Sequence, residues 1–381
     1  MKKPLLFFFT SVLLCSVLFS PLKSFSYPRF AAYTGDKCGD CHVNPSGASM
    51  RTEWGTKYGQ QNLEMDMFKK LSAKMEFSPK LSKSISVGGD VRIAHSDNQV
   101  KTSTAANKFL AMEGNIYINA KLNEKLSVFV SSGLQSSEAP VKNEFYGLLS
   151  NISPAKIYFQ AGKFSPSFGI RIPDHRAYQR LYLLNTPYDA DAGLLLGISP
   201  GDFNMNVAVF NGLSIDFFDT DLNKMFVASA DYTFHFAEDL VHVNLGTSFY
   251  NNPFRKADQF GDMMDANQKS FNGFTKIGLF DRVAILGEVD FIENQETNVF
   301  KRGMYNFGEL SVRLVRGVEL RGQYEMRDPN RDVVDDEISR ISAGFALFPM
   351  PGMEMEGMYR FVTETPSVDN NEYQMMFHFY F

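Results

Sequence analysis

Cysteine is nearly absent from this chain. There are three in 381 residues, and one of them, Cys15, lies in an apolar amino-terminal stretch. Cys38 and Cys41 alone cannot build a disulfide framework or a four-cysteine zinc site. Tryptophan occurs once, as Trp54, and histidine six times. Basic residues are outnumbered 38 to 43, for a net charge of −5 and a pI of about 5.8. That balance excludes a general nucleic-acid binder. Beyond residue 26 no apolar run reaches the roughly eighteen residues of a membrane-spanning helix. What the chain has in quantity is aromatic: 36 Phe and 16 Tyr.

Residues 1–26 read as a secretory signal peptide. Lys2 and Lys3 make the basic start, Leu5 to Phe19 the apolar stretch, and Ser24-Phe25-Ser26 a small-x-small cleavage site. A lipoprotein site needs a small residue before Cys15, where Leu14 stands.

From about Ser84 the pattern has period two. In 317–327, Val318, Leu320, Tyr324 and Met326 share one face, and Glu319, Arg321, Gln323, Glu325 and Arg327 the other. In 240–250, Val241, Val243, Leu245 and Phe249 oppose His242, Asn244 and Ser248. A charge at every second position suits a strand with lipid on one side and water on the other. Short turns alternate with long polar loops, expected at about 96–107, 136–143, 164–188, 212–223, 251–270, 294–302, 328–336 and 364–371. The pattern predicts an all-β antiparallel transmembrane barrel of about sixteen strands, with fourteen as the alternative. The short turns and both barrel ends then face the periplasm of a Gram-negative outer membrane. The last strand, from Tyr373 to the terminal Phe381, carries an apolar face of Tyr373, Met375, Phe377, Phe379 and Phe381. The expected division is signal peptide 1–26, a small, mostly helical segment 27–80 that is a candidate plug for the barrel, and the barrel 81–381.

Cys38-Gly39-Asp40-Cys41-His42 has the spacing of a c-type haem attachment site. Cys38 and Cys41 are the candidate thioether positions for one covalent haem c, and His42 the proximal ligand to its iron. The distal position has several candidates. Met50, Met65 and Met67 lie in the same segment. His235, His242 and His378 are expected to face the lumen near the periplasmic rim. A two-residue turn at Glu238–Asp239 sets His235 opposite His242. His175 lies in the long semi-apolar loop 164–188, which is either external or folded inward. Water or an open position is the remaining alternative.

RFAAYTGDKCGDCH, then Gly47, Arg51, Trp54, Gly55, Tyr58 and Gly59, then a barrel, resembles the fused monohaem cytochrome–porins of the outer membrane. Members of that family oxidise extracellular ferrous iron with F-P-x-L and F-G-R-x-F-K after the haem motif. Asn44-Pro45-Ser46-Gly47 and Trp54-Gly55-Thr56-Lys57 stand there instead. The resemblance implies electron transfer across the outer membrane between a periplasmic c-type cytochrome and an external donor or acceptor such as iron. A barrel's apolar band is about 25 Å tall, so one haem serves such a path from inside the lumen. The alternative is a solute porin whose haem-bearing segment senses or docks. Acidic groups in the loops, Asp216/Asp219/Asp221, Asp258/Asp262/Asp265 and Asp328/Asp332/Asp335/Asp336/Glu337, are candidates for gathering Fe(II). They suit better a solvated external surface, acidic for solubility or bridged to lipopolysaccharide by cations. No nucleophile–base set or phosphate loop is present.

Overall fold

The computed structural model describes residues 28–72, 74–98, 107–133, 143–183, 190–212, 222–257, 263–296 and 299–381. The expected signal peptide lies outside the described residues. Sixteen antiparallel strands close into one barrel, each paired with its chain neighbours, and the last with the first. They are β1 (Ile85–Asn98), β2 (Asn107–Lys121), β3 (Leu126–Gly133), β4 (Glu144–Leu149), β5 (Tyr158–Phe164), β6 (Asp191–Ile198), β7 (Phe203–Phe210) and β8 (Met225–Phe236). The second half is β9 (Val241–Ala257), β10 (Met263–Leu279), β11 (Val283–Glu296), β12 (Val299–Val315), β13 (Val318–Asp328), β14 (Ile338–Leu347), β15 (Met353–Glu364) and β16 (Glu372–Tyr380).

The period-two pattern sorts side chains as lipid and lumen require. On β13, Leu320 and Tyr324 are 49% and 46% exposed on the outer face, whereas Glu319, Arg321, Gln323 and Glu325 are buried on the inner one. Buried charges on an inner face mean that the lumen is filled at this level.

Two expected loops are shorter than their polarity suggested. Strand β9 runs to Ala257 and β10 begins at Met263, inside the expected loop 251–270. Likewise β11 reaches Glu296 and β12 starts at Val299, inside 294–302. A hairpin that rises past the apolar band is wet on both faces. It loses the alternation while keeping its backbone ladder.

The lumen is filled from two directions. From the short-turn end comes the segment before β1, with helices α1 (Pro28–Thr34), α2 (Cys38–Cys41), α3 (Glu53–Gln61) and α4 (Lys69–Ser72). Pro28 supplies the fixed φ of a first helical position. Gly35, at φ +72°, ends α1 in the left-handed region, and its N–H donates to Ala31 O at 2.9 Å. Thr52 caps α3 by accepting from Gly55 N at 3.1 Å. α1 lies against β9, β10 and β11. Its Arg29 donates to Glu319 at 2.9 Å and Glu354 at 3.2 Å. Lys37 donates to Ser199 O at 3.0 Å, and Met65 N to Phe348 O at 2.9 Å.

The second filling is the loop after β5, residues 164–183, which includes α5 (Tyr178–Tyr182). It turns inward. Gly169 N donates to Ser248 Oγ at 3.0 Å, Ile170 N to Glu288 at 2.6 Å and Tyr178 N to Glu325 at 3.0 Å. Arg360 clasps Asp174 at 2.7 Å. An aromatic row lines the wall beside it, with ring centroids 4.9 Å apart for Phe129–Tyr146 and 5.0 Å for Phe164–Phe210.

Candidate functional site

The candidate haem motif is held by short-range bonding. α2 is one turn, and His42 N donates back to Cys38 O at 3.0 Å. The chain then makes a narrow loop. Asn44 Oδ1 accepts from Ser46 N at 3.1 Å, and Gly47 N donates to Asn44 O at 2.9 Å. Val43 N donates to Met50 O at 3.0 Å, and His42 bridges Arg51 across the loop. A Cβ on Gly55 would lie 2.4 Å from Cys41 O, so α3 approaches the motif as closely as glycine allows.

Cys38, Cys41 and His42 line one lumenal cavity of about 170 Å³. The inward loop forms its other side with Ile170, Arg171, Ile172, Pro173 and His175. Arg171 reaches across and donates to Gly47 O at 3.2 Å and Ser46 Oγ at 3.0 Å. Cys41 is buried and Cys38 partly so, and the two form no disulfide. Burial first, and then the nearby Asp36 carboxylate, push the Cys41 thiol up. Two thiols and an imidazole, the donor set of a covalent haem site, share this one space. The residues present therefore fit a covalently attached haem, with the thiols as attachment points and His42 as an iron ligand.

The distal candidates separate clearly. His175 lines this cavity, with Nε2 3.4 Å from Arg92 Nη1 and 3.8 Å from a Glu113 oxygen. His378 does not line it. Its Nε2 is 2.7 Å from Asp90 and its Nδ1 3.0 Å from Glu354, so both nitrogens are engaged with carboxylates. His235 and His242 oppose each other in the register and meet at Nδ1–Nδ1 3.2 Å beneath Gly35, off the cavity. Met50 is buried against the aromatic row and, with His42, lines a second cavity toward the short-turn rim. Met65 packs at the Gly317 turn, and Met67 is 79% exposed. Neither reaches the cysteines' cavity.

Sequence reasoning missed the residues that seat the motif. Arg51 lies 3.4 Å from Asp90, its guanidinium 4.2 Å above the Tyr380 ring. Arg29 was the available signal: a single charge in the apolar run of α1 has to find partners inside.

The acidic groups give a mixed outcome. Asp216, Asp219, Asp221, Asp258 and Asp262 lie outside the described residues. Asp265 pairs with Arg255 at 3.4 Å and Asp332 with Arg302 at 2.9 Å.

No protein-family model matches the chain, and no curated protein sequence does. Solved structures match over the barrel. Outer-membrane expressed OmpT of Vibrio cholerae is 11% identical, with a TM-score of 0.58 over 80% of this chain and 100% of that one. The chain has the fold of an outer-membrane porin. The anion-selective porin from Comamonas acidovorans gives 10% identity and a TM-score of 0.58, over 78% and 99% of the two chains. The outer membrane channel DcaP of Acinetobacter baumannii gives 10% and 0.54, over 80% and 100%. These porin-like relatives lend no support to a fused cytochrome family or to iron oxidation.

Proposed function

We propose that this barrel, set in a Gram-negative outer membrane, houses one covalent haem c in its lumen and passes electrons between the two sides. The observation that carries the reading is the shared cavity: Cys38, Cys41 and His42 all open onto one space inside a filled barrel. When bound, the haem supplies a one-electron redox centre. Cys38 and Cys41 would hold it on the segment before β1, His42 would ligate its iron, and His175 of the facing loop lines the same cavity as a second candidate ligand. Residues 164–183 cover the centre from the long-loop side, and Arg171 ties that cover to the motif. An external donor such as Fe(II) gives up one electron and becomes Fe(III). A periplasmic c-type cytochrome accepts the electron.

Porin relatives favour a second reading, in which solutes cross and the amino-terminal segment regulates or docks. Two measurements divide the readings. Protein purified from outer membranes is run in a denaturing gel and stained for haem peroxidase activity, beside Cys38→Ala/Cys41→Ala protein. It is then placed in sealed liposomes, loops outward, and given a membrane-impermeant reductant. Staining lost in the variant, with prompt haem reduction from outside, supports the electron path. An unstained band with steady ion conductance establishes the porin reading in its place.

A further inference from the structure

The turn between β8 and β9 gathers three metal-ligating groups that the proposed function does not use. His235 Nδ1 lies 3.2 Å from His242 Nδ1 and 3.0 Å from Asp239 Oδ1, and all three ligand atoms lie within 4.8 Å of one another. A tetrahedral zinc ion with bonds of about 2.0–2.1 Å holds its ligands about 3.3 Å apart. The two shorter separations match edges of that tetrahedron.

His242 also hydrogen-bonds the Asp239 backbone, but hydrogen bonding leaves the close Nδ1–Nδ1 contact poorly served. A neutral His235 carries at most one proton on Nδ1, and that proton points to Asp239 or to His242. If it points to Asp239, His242 Nδ1 can approach only as an acceptor, against an N–H already committed. If His242 donates instead, the Asp239 oxygen faces a bare lone pair. A cation at the centre satisfies all three lone pairs at once.

Three further features point the same way. The other nitrogen of His235, Nε2, lies 3.4 Å from Asp202 Oδ1. A carboxylate behind an imidazole is the arrangement that orients metal-bound histidines. Ala237, Glu238 and Asp239 all have positive φ, at 52°, 56° and 68°. Three consecutive non-glycine residues in that region are strained, and this winding sets Asp239 Oδ1 3.0 Å from His235 Nδ1. Gly35 also faces the pair. A Cβ there would lie 2.6 Å from His242 Nδ1 and 2.7 Å from His235 Cε1, so only glycine lets the end of α1 pack this closely on both rings and hold them in place. His242 is buried, whereas Asp239 is open to solvent, which gives an ion an entry path.

We propose that His235, His242 and Asp239 bind one divalent transition-metal ion of the zinc, copper and nickel class at the short-turn rim, with the fourth position left to water. Two imidazoles and one carboxylate suit these ions over calcium or magnesium. The site does not depend on the haem reading. The bound ion would tie the ends of β8 and β9 together beneath the junction of α1 and α2.

The test uses the full-length barrel without a polyhistidine tag, stripped with chelator and titrated with Zn²⁺ by calorimetry. Metal is counted per folded barrel, judged by the heat-dependent gel shift. One zinc per chain at micromolar affinity or tighter is expected. X-ray absorption at the zinc edge should show nitrogen and oxygen ligands at about 2.0–2.1 Å. His235→Ala/His242→Ala should abolish this binding, and Asp202→Asn should weaken it about 10–100-fold. Wild-type protein that takes up no zinc overturns the proposal. So does a folded double variant that binds zinc as tightly as wild type.

Discussion

Arg29 of α1 and Glu319 of β13 lie 2.9 Å apart although 290 residues separate them in the chain. Both side chains are almost completely buried, and Glu354 takes a second bond from the same guanidinium at 3.2 Å. The pair fastens the amino-terminal segment to the barrel wall.

Arg29→Ala should therefore release that segment while leaving the barrel closed. Removing one member of a buried pair typically costs about 3–5 kcal/mol, because the partner charge stays buried without compensation. Single-channel conductance in planar bilayers should rise well above wild type, with the heat-dependent gel shift retained. Unchanged conductance would mean that the segment is held by something other than this pair.

The barrel was legible in the sequence because lipid and lumen impose opposite chemistry on alternate residues, as Leu320 and Glu319 illustrate. Turn arithmetic also set His235 opposite His242, because opposed residues in a tight hairpin sum to a constant. Parity says which way a side chain points, not what it meets across a lumen. Register sets Glu354 opposite His378 on the neighbouring strand, whereas Asp90 was out of reach because β1 meets β16 only on barrel closure, 288 residues away in the chain. The strand extensions beside Asn251 and Asn252 were missed for a different reason. Above the apolar band no alternation remains to be read.

Gly278→Val should displace α1. A Cβ at this position would lie 1.8 Å from Ala32 O, and strand and helix backbones cannot both stay in place. Limited proteolysis with trypsin should cut at Arg29 at least several-fold faster than in wild type, while the gel shift persists. Equal cleavage rates would argue that α1 adapts by sliding.

The Asp174–Arg360 contact predicts a pH response of the inward loop. Burial alone would raise the Asp174 carboxyl. The Arg360 and Arg340 guanidiniums outweigh it and hold the group well below the usual carboxylate range. An unfolded Asp titrates near about 3.9. The contact's stabilising contribution is thus complete above about pH 4 and is lost only as pH falls further toward the depressed value. Conductance should stay flat from pH 7 to about pH 4 and rise below it. Asp174→Asn should weaken the loop's hold by about 1.5–3 kcal/mol, the range for a hydrogen bond to a charged group, since Arg360 retains Glu372 at 2.9 Å. Opening of wild type near pH 6 would count against this anchor.

If haem is attached as proposed, the distal candidates give different spectra. His175→Ala should shift the reduced and oxidised visible bands, because His175 shares the cavity with His42. His235→Ala should leave them unmoved. A shift in the second variant and none in the first would reverse the assignment.

Strands β1 and β16 meet with Gly89 and Phe381 exchanging two backbone hydrogen bonds, at 3.1 and 3.0 Å. Arg51 spans this seam from inside, bound to Asp90 on one strand and stacked on Tyr380 of the other. Of all the strand pairings, this one closes the longest stretch of chain and so carries the largest closure entropy. Until it forms, the growing sheet has an open side through which the amino-terminal segment can enter. The joint that closes the wall is thus also one to which the amino-terminal segment is fastened, through the single side chain of Arg51.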